Sequence, residues 1–245
     1  QIGPARVKLA SGALTPNPQC AVAPSLVLAS FVQTGLHVDA QYNTCDVAFP
    51  SVTSIVGTVG DSAPASFYAA IPVVSQSFTL ASGDLGALYQ PPPSIVVVGA
   101  NLADPAHDAL PTDETDARVV DADGDGHPGV TVQNTLGGDQ YIVFRNIGTS
   151  KGTVLSSNEI LGDSAGDLLA STETSVFGLG NAFLPATQAL GSVVDLARVD
   201  GRFGAINADA NGDGTISCDE LVDAASSLGL DLDVPDTPFD CGADK

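Results

Sequence analysis

Short segments rich in Val, Ile, Thr and aromatic residues recur along this chain, each closed off by a cluster of Gly, Pro, Asn or Asp, and that punctuation constrains the fold more than any other feature. Helical periodicity is scarce before residue 215. The pattern predicts a mainly β protein, a sandwich or barrel of many short strands with a short loop and helix at its C-terminal end. Strands are expected near residues 7–9, 26–33, 52–59, 66–71, 73–80, 95–99, 117–120, 130–133, 141–145, 154–155 and 193–199. Ser77, Phe78, Thr79 and Leu80 alternate, as suits a face open to water, whereas residues 95–98 are continuously apolar, as suits a strand covered on both sides.

Between these segments, Pro91, Pro92 and Pro93 break any ladder and mark a candidate internal boundary. Residues 101–116 carry Asp104, Asp108, Asp113, Glu114 and Asp116 with two prolines and read as a surface loop. Residues 163–174 have few β-branched side chains and read as a short helix. After Cys218, the spacing of Leu221, Val222, Ala224, Ala225 and Leu228 predicts a helix ending at Gly229. The division expected is a β-rich domain over 1–200 and a C-terminal unit over 201–245.

With 245 residues, of which 44% are hydrophobic, the chain can bury a sizeable core. Its net charge of −21 with only 8 Lys plus Arg leaves no basic patch to neutralise phosphates, which argues against nucleic acid and against an anionic membrane surface. No apolar run is long enough to predict a spanning helix. The start at Gln1, without Met or a charged leader, reads as an already processed chain. Four cysteines lack the spacing of a zinc ribbon or a redox dithiol, so disulfides are expected, and their positions suggest local pairs, Cys20 with Cys45 and Cys218 with Cys241. Such bridges place the protein in an oxidising compartment, secreted or at the cell surface.

Residues 209–220 put oxygen ligands at the spacing a calcium ion needs. Asp209, Asn211 and Asp213 stand at loop positions one, three and five, Thr215 offers its carbonyl at seven, Ser217 stands at nine, and Glu220 closes at twelve, with Gly214 at the sharp turn. The segment entering this loop contains Gly201 and Gly204, so a regular entering helix is not expected. With no paired loop of the same kind and no Met-rich groove, the unit reads as a clamp rather than a sensor. A second candidate, Asp121, Asp123 and Asp125 with Gly126 at six and His127 at seven, repeats the first half. Its twelfth position is Val132, which cannot ligate, so a further carboxylate must come from Asp116, Asp139, Glu114 or Asp113. The alternative is a tight acidic turn without an ion.

The C-terminal loop resembles the EF-hand calcium-binding class through Asp209, Asn211, Asp213, Thr215 and Glu220. The words Asp-Gly-Asp-Gly-His-Pro-Gly-Val-Thr-Val at 123–132, followed by Tyr-Ile-Val-Phe-Arg at 141–145, resemble a segment of uncharacterised secreted proteins and lipoproteins of bacteria. That resemblance implies an extracytoplasmic, calcium-stabilised β domain and no activity.

Ser164, in Gly-Asp-Ser-Ala-Gly, matches the Gly-x-Ser-x-Gly elbow and resembles the nucleophile segment of esterases, but His37, His107 and His127 all precede it, against the hydrolase order. A chymotrypsin-like order is formally available from His37, one of Asp84, Asp104 or Asp108, and Ser164. The absence of Trp removes the usual sugar platforms. The leading expectation is a secreted, calcium-stabilised structural protein that self-associates into a homo-oligomer or polymer, since an acidic chain of positive mean hydropathy must place apolar surface somewhere. The alternative is a monomeric barrel or sandwich holding a small apolar ligand, which an apolar cavity would favour, and a serine hydrolase using Ser164 comes third.

Overall fold

The structure, a computed structural model, describes residues 2–9, 19–49, 52–54, 57–59, 61–134, 138–163, 171–178, 186–188 and 193–227. Its strands in chain order are β1 (Ile2–Leu9), β2 (Gln19–Thr34), β3 (His37–Val47), β4 (Val52–Ser54), β5 (Gly57–Val59), β6 (Asp61–Ser62), β7 (Val74–Thr79), β8 (Leu88–Tyr89), β9 (Ser94–Val98), β10 (Val130–Asn134), β11 (Gly138–Gly148), β12 (Lys151–Ser156), β13 (Glu159–Asp163), β14 (Ser171–Gly178), β15 (Ala186–Gln188) and β16 (Val193–Ala197). Two helices, α1 (Ala65–Ala70) and α2 (Cys218–Ser227), and a 3-10 turn at Arg202–Gly204 complete the described elements. Apart from the β4–β5 hairpin, the strands form one antiparallel network in the order β6-β10-β11-β14-β15-β1-β16-β13-β12-β8; β2, β3 and β7 branch from β1, and β9 shares β11. No closed barrel forms among the described residues. The architecture is that of a sandwich.

One core cluster joins Val38, Ala40 and Phe78 on β3 and β7 to Tyr89 on β8 and Leu196 on β16, so the β2–β3–β7 branch faces the β8–β12–β13–β16 branch. The other part of the sheet centres on β11, which is covered on both faces. Ile142 and Phe144 pack towards Phe67 of α1 with Val96 and Val98, while Tyr141 and Val143 pack with Val97, Phe177 and Leu110. The apolar run of β9 packs on both faces, as expected, through Val96 and Val98 on one side and Val97 on the other, while Ile95 at its start is exposed. On β7, Phe78 is buried between exposed Ser77 and Thr79, again as the alternation predicts.

Several expectations are corrected. Residues 66–71 do not form a strand: 65–70 are helix α1, which starts after Pro64 and inserts Phe67 against Phe144 (5.9 Å between ring centres) and Phe49. Ala at three of the six helical positions favours the helix, and the aromatic side chain supplies the burial. Residues 52–59 split into the β4–β5 hairpin. At 117–120 there is only an isolated bridge between Val119 and Ala100, with turns around it. In the 163–174 segment Asp163 ends β13 and 171–174 belong to β14, both extended; 164–170 lie outside the described residues. Strand β3 has no clear strand signature in the sequence, because its buried alternation rests on Val38 and Ala40 among polar neighbours.

Neither local disulfide forms as expected. Cys45 on β3 is bonded to Cys218 at the start of α2, 5.1 Å apart at Cα and separated by 173 residues in sequence. Sequence proximity is a poor guide here because β3 lies next to α2, where Leu26, Cys45, Leu221 and Ala225 share a core cluster. A cross-link closing so long a loop contributes roughly 5 kcal/mol in the chain-entropy model. Cys45→Ala should therefore lower the unfolding free energy by about 3–5 kcal/mol, read from the urea transition of the oxidised protein.

Candidate metal centre

The Asp121 loop is closed at its neck by its own backbone and tied there to the segment following β9. Val120 N donates to Gly99 O at 2.9 Å, Gly129 N to Val120 O at 2.9 Å, and Ala122 N to Gly129 O at 2.8 Å. Gly129 is at φ +85, and a Cβ there would lie 2.2 Å from the carbonyl oxygen of Ile142 on β11. Only glycine can bring the loop so close to the central strand.

Inside the loop, Asp121 Oδ1 accepts from the backbone N–H of Gly124 (2.7 Å) and Asp125 (3.2 Å), and its Oδ2 from Gly126 (2.9 Å). Asp125 Oδ1 accepts from His127 N at 2.8 Å, and the Thr131 hydroxyl donates to Asp125 Oδ2. Thr131 N donates to Asp123 Oδ2 at 2.8 Å. The hydroxyl of Thr131 holds the Asp125 carboxyl below its ordinary value. Carboxylate oxygens of Asp121, Asp123 and Asp125 lie within 4.8 Å of one another. Asp123 Oδ1 is closed off from solvent and has no hydrogen-bond donor. Three like charges so near repel unless a cation sits among them, and a buried carboxylate oxygen without a donor needs a partner. The residues fit a metal ion.

The 209–220 loop repeats the first half of this conformation. Asp209 Oδ1 accepts from Gly212 N (2.7 Å) and Oδ2 from Gly214 N (3.0 Å), matching Asp121 with Gly124 and Gly126; Asp213 Oδ1 accepts from Thr215 N (2.8 Å), matching Asp125 with His127. Asn211 Oδ1 accepts from Asp213 N at 2.8 Å. The second half differs. Glu220 Oε2 accepts from Ser217 N (2.9 Å), and Glu220 N donates back to Ser217 Oγ (3.2 Å), a reciprocal capping box that starts α2. Glu220 Oε1 crosses the loop to the N–H groups of Ala210 and Asn211, both at 3.1 Å. The backbone donors of Ser217 and Asn211 hold the Glu220 carboxyl below its ordinary value, and the Thr215 hydroxyl and N–H do the same for Asp213. Among the described residues only Asp121, Asp123 and Asp125 gather three carboxylates within 4.8 Å; Asp209, Asp213 and Glu220 do not. No α-helix enters the 209–220 loop, which follows the turn at Arg202–Gly204.

The further carboxylate sought for the Asp121 loop does not join it. Asp116 is spent on Arg118 at 2.7 Å, and Asp113 on Thr115 at 2.8 Å. The ring of His127 stacks on Tyr141, 4.2 Å between centres, which leaves its backbone carbonyl as the group it could offer an ion. Thr131 is the residue that the loop spacing alone misses. Its signal was a polar side chain between Val130 and Val132, where a buried hydroxyl must find a partner.

The other histidines pair away from the proposed serine order. His37 Nε2 is 3.3 Å from Asp39, whose Oδ1 also accepts from the Ser77 hydroxyl, and His107 is 2.9 Å from Asp104. His37 thus has a nearer acid than Asp84, Asp104 or Asp108, and Ser164 lies outside the described residues. No family model matches this chain, and neither a curated protein nor a solved structure shows significant similarity to it.

Gly129→Ala should cost about 2 kcal/mol or more in thermal or urea unfolding, because the methyl meets the Ile142 carbonyl at positive φ. Acid stability follows the depressed carboxyls. A lowered folded-state value contributes stability that is complete above the unfolded value and is lost as pH falls through the folded one. In metal-free solution the melting temperature should thus fall as pH drops below about 4.5, the ordinary value for Glu220, and Glu220→Gln should reduce the slope.

Proposed function

We propose that this chain is a secreted, calcium-stabilised structural protein of the cell surface or of an extracellular assembly, its acidic loops acting as clamps. The observation that carries the reading is the gathering of Asp121, Asp123 and Asp125 around a donorless, solvent-closed Asp123 Oδ1. An all-oxygen set of carboxylates and a backbone carbonyl suits a hard divalent ion, and calcium tolerates the irregular geometry and added waters that such a loop leaves. Extracellular modules bind calcium in the range where millimolar supply is enough to fill them. The Cys45–Cys218 bridge is consistent with an oxidising compartment. No helix among the described residues is long and apolar enough to cross a membrane.

The 209–220 loop is read as a second calcium clamp, with Glu220 turning from its backbone donors to the ion. Clamping rather than sensing is favoured because the chain has no Met for an opened groove and because the Asp121 loop runs straight into a core strand. Self-association belongs to the reading through the exposed Val32, Val73 and Leu155. Sedimentation in millimolar calcium should give a species larger than the monomer, and a monomer at high concentration would remove that part.

Calcium at a hundred times its dissociation constant should stabilise the fold by about 2.7 kcal/mol at each occupied site, and a chelator should reverse the gain. Asp121→Asn and Glu220→Gln should each weaken one of two calorimetrically resolved sites. An identical melting temperature with calcium and with chelator would remove the reading.

One observation favours a second reading, a module that holds a small apolar ligand. A cavity of about 830 Å³ lies between the two facing branches of the sandwich, within the size range of small-molecule sites.

A further inference from the structure

The inner wall of this cavity includes Leu26, Val38, Phe78, Tyr89, Leu196 and Leu221, all buried. The Tyr89 hydroxyl is bonded to that of Tyr42 at 2.6 Å, and burial pushes both phenols up, so the interior is uncharged throughout the physiological range. Charge is confined to the mouth. Asp84, Glu159, Arg198 and Asp200 also line the cavity, and each is at least partly open to water. Arg198 is engaged by Ser157 O and Asp200 Oδ2, both at 3.0 Å, and no ion pair engages Asp84 or Glu159 among the described residues. The rim is therefore net acidic.

Two features at this mouth are costly, although the Arg198 guanidinium lies over one face of the Phe203 ring, 5.2 Å from its centre. Phe203 is the only non-glycine residue at positive φ among the described residues (φ 53), yet its ring is 73% exposed. Its carbonyl accepts from Asn158 Nδ2 at 3.0 Å, while Asn158 Oδ1 is closed off from solvent with no donor. Backbone strain, an aromatic face left open beside Arg198 and an unsatisfied acceptor concentrated at one opening point to a ligand that uses them.

We propose that the cavity binds a single-chain amphiphile, its alkyl tail between the two branches and its head, uncharged or cationic and able to donate hydrogen bonds, at the rim formed by Asn158, Glu159 and Phe203. This inference rests on the ligand-binding reading and names its ligand class. An anionic head meets the acidic rim, where the lining cation Arg198 is already paired with Asp200, whereas an ammonium or hydroxyl head meets acceptors. Residues Gly214, Thr215 and Ile216 of the 209–220 loop form part of the wall, so binding is best measured with calcium present.

The test is a fluorescence titration of the full chain with N-phenyl-1-naphthylamine in millimolar calcium, then competition by dodecyltrimethylammonium and by dodecanoate below their micelle thresholds. One saturable site is expected, with the ammonium compound competing at about tenfold lower concentration than the carboxylate. Ala29→Trp, which fills the cavity from β2, should abolish probe binding, and Ser156→Trp, at the partly open mouth, should do so without touching the buried cluster. Glu159→Gln should narrow the gap between the two competitors. No saturable probe binding by the wild-type chain, or undiminished binding by a folded Trp variant, would overturn the inference together with the ligand-binding reading. Saturable binding at which dodecanoate competes as well as the ammonium compound would overturn the head-group assignment and leave that reading standing.

Discussion

The two-sided burial of β11 is the constraint on which the acidic half of the molecule depends. Ile142 and Val143, adjacent in sequence, point into different clusters and are both essentially inaccessible, each worth roughly 1.5–3 kcal/mol of burial. With both faces covered, the strand cannot shift, and its backbone becomes a fixed surface for other chain segments. Gly129 sits on the Ile142 carbonyl, and Tyr141 carries the ring of His127. Arg145 extends from the same face as Val143 to Pro105 O (3.1 Å) and Asp108 O (2.7 Å) and pairs with Glu173. A buried guanidinium needs such partners, and its two terminal nitrogens find them while Nε has none. In finding them it fastens the acidic 101–116 segment, whose Leu110 packs with Val143 and Phe177.

The two acidic loops show how one local conformation acquires different properties from the element that follows it. In both, the first carboxylate takes the N–H groups three and five residues on, and the fifth position takes the N–H two residues on. Past position nine they diverge. A helix turns position twelve back over the loop, which is how Glu220 reaches Ala210 and Asn211. A strand carries position twelve away, so Val132 goes into the core and Thr131, one residue earlier, reaches back to Asp123 and Asp125. The Asp121 loop is thus a closed triad on a rigid base, whereas the 209–220 loop has its closing carboxylate on a short helix.

What could be read from the residues follows the same division between local and long-range information. The alternation around Phe78, the apolar run of β9 and helix α2 are local patterns, and those elements appear where the spacing places them. Helix α1 is not legible locally because Phe67, Tyr68 and Ile71 look strand-like over six residues, and only the packing of Phe67 on Phe144 decides the matter. The Cys45–Cys218 bridge depends on β3 meeting α2, which no spacing encodes. Thr131, Gly99 and Gly129 matter through contacts with neighbouring strands, so the loop motif by itself could not identify them.

The C-terminal unit illustrates why so much local chemistry is concentrated at one place. Helix α2 has ten residues, too few to persist alone in water, and its apolar contribution to the core is essentially Leu221 and Ala225, one turn apart. Hydrophobic area therefore does little to hold it. A capping box between Ser217 and Glu220 satisfies its first turn, the acids Asp219 and Glu220 suit the positive end of the helix dipole, and the disulfide at its first residue fixes it to β3. These devices act at the same end of the helix, the end that carries the 209–220 loop and borders the cavity between the two facing branches. A wall so thinly packed is therefore held in place from one end rather than along its length.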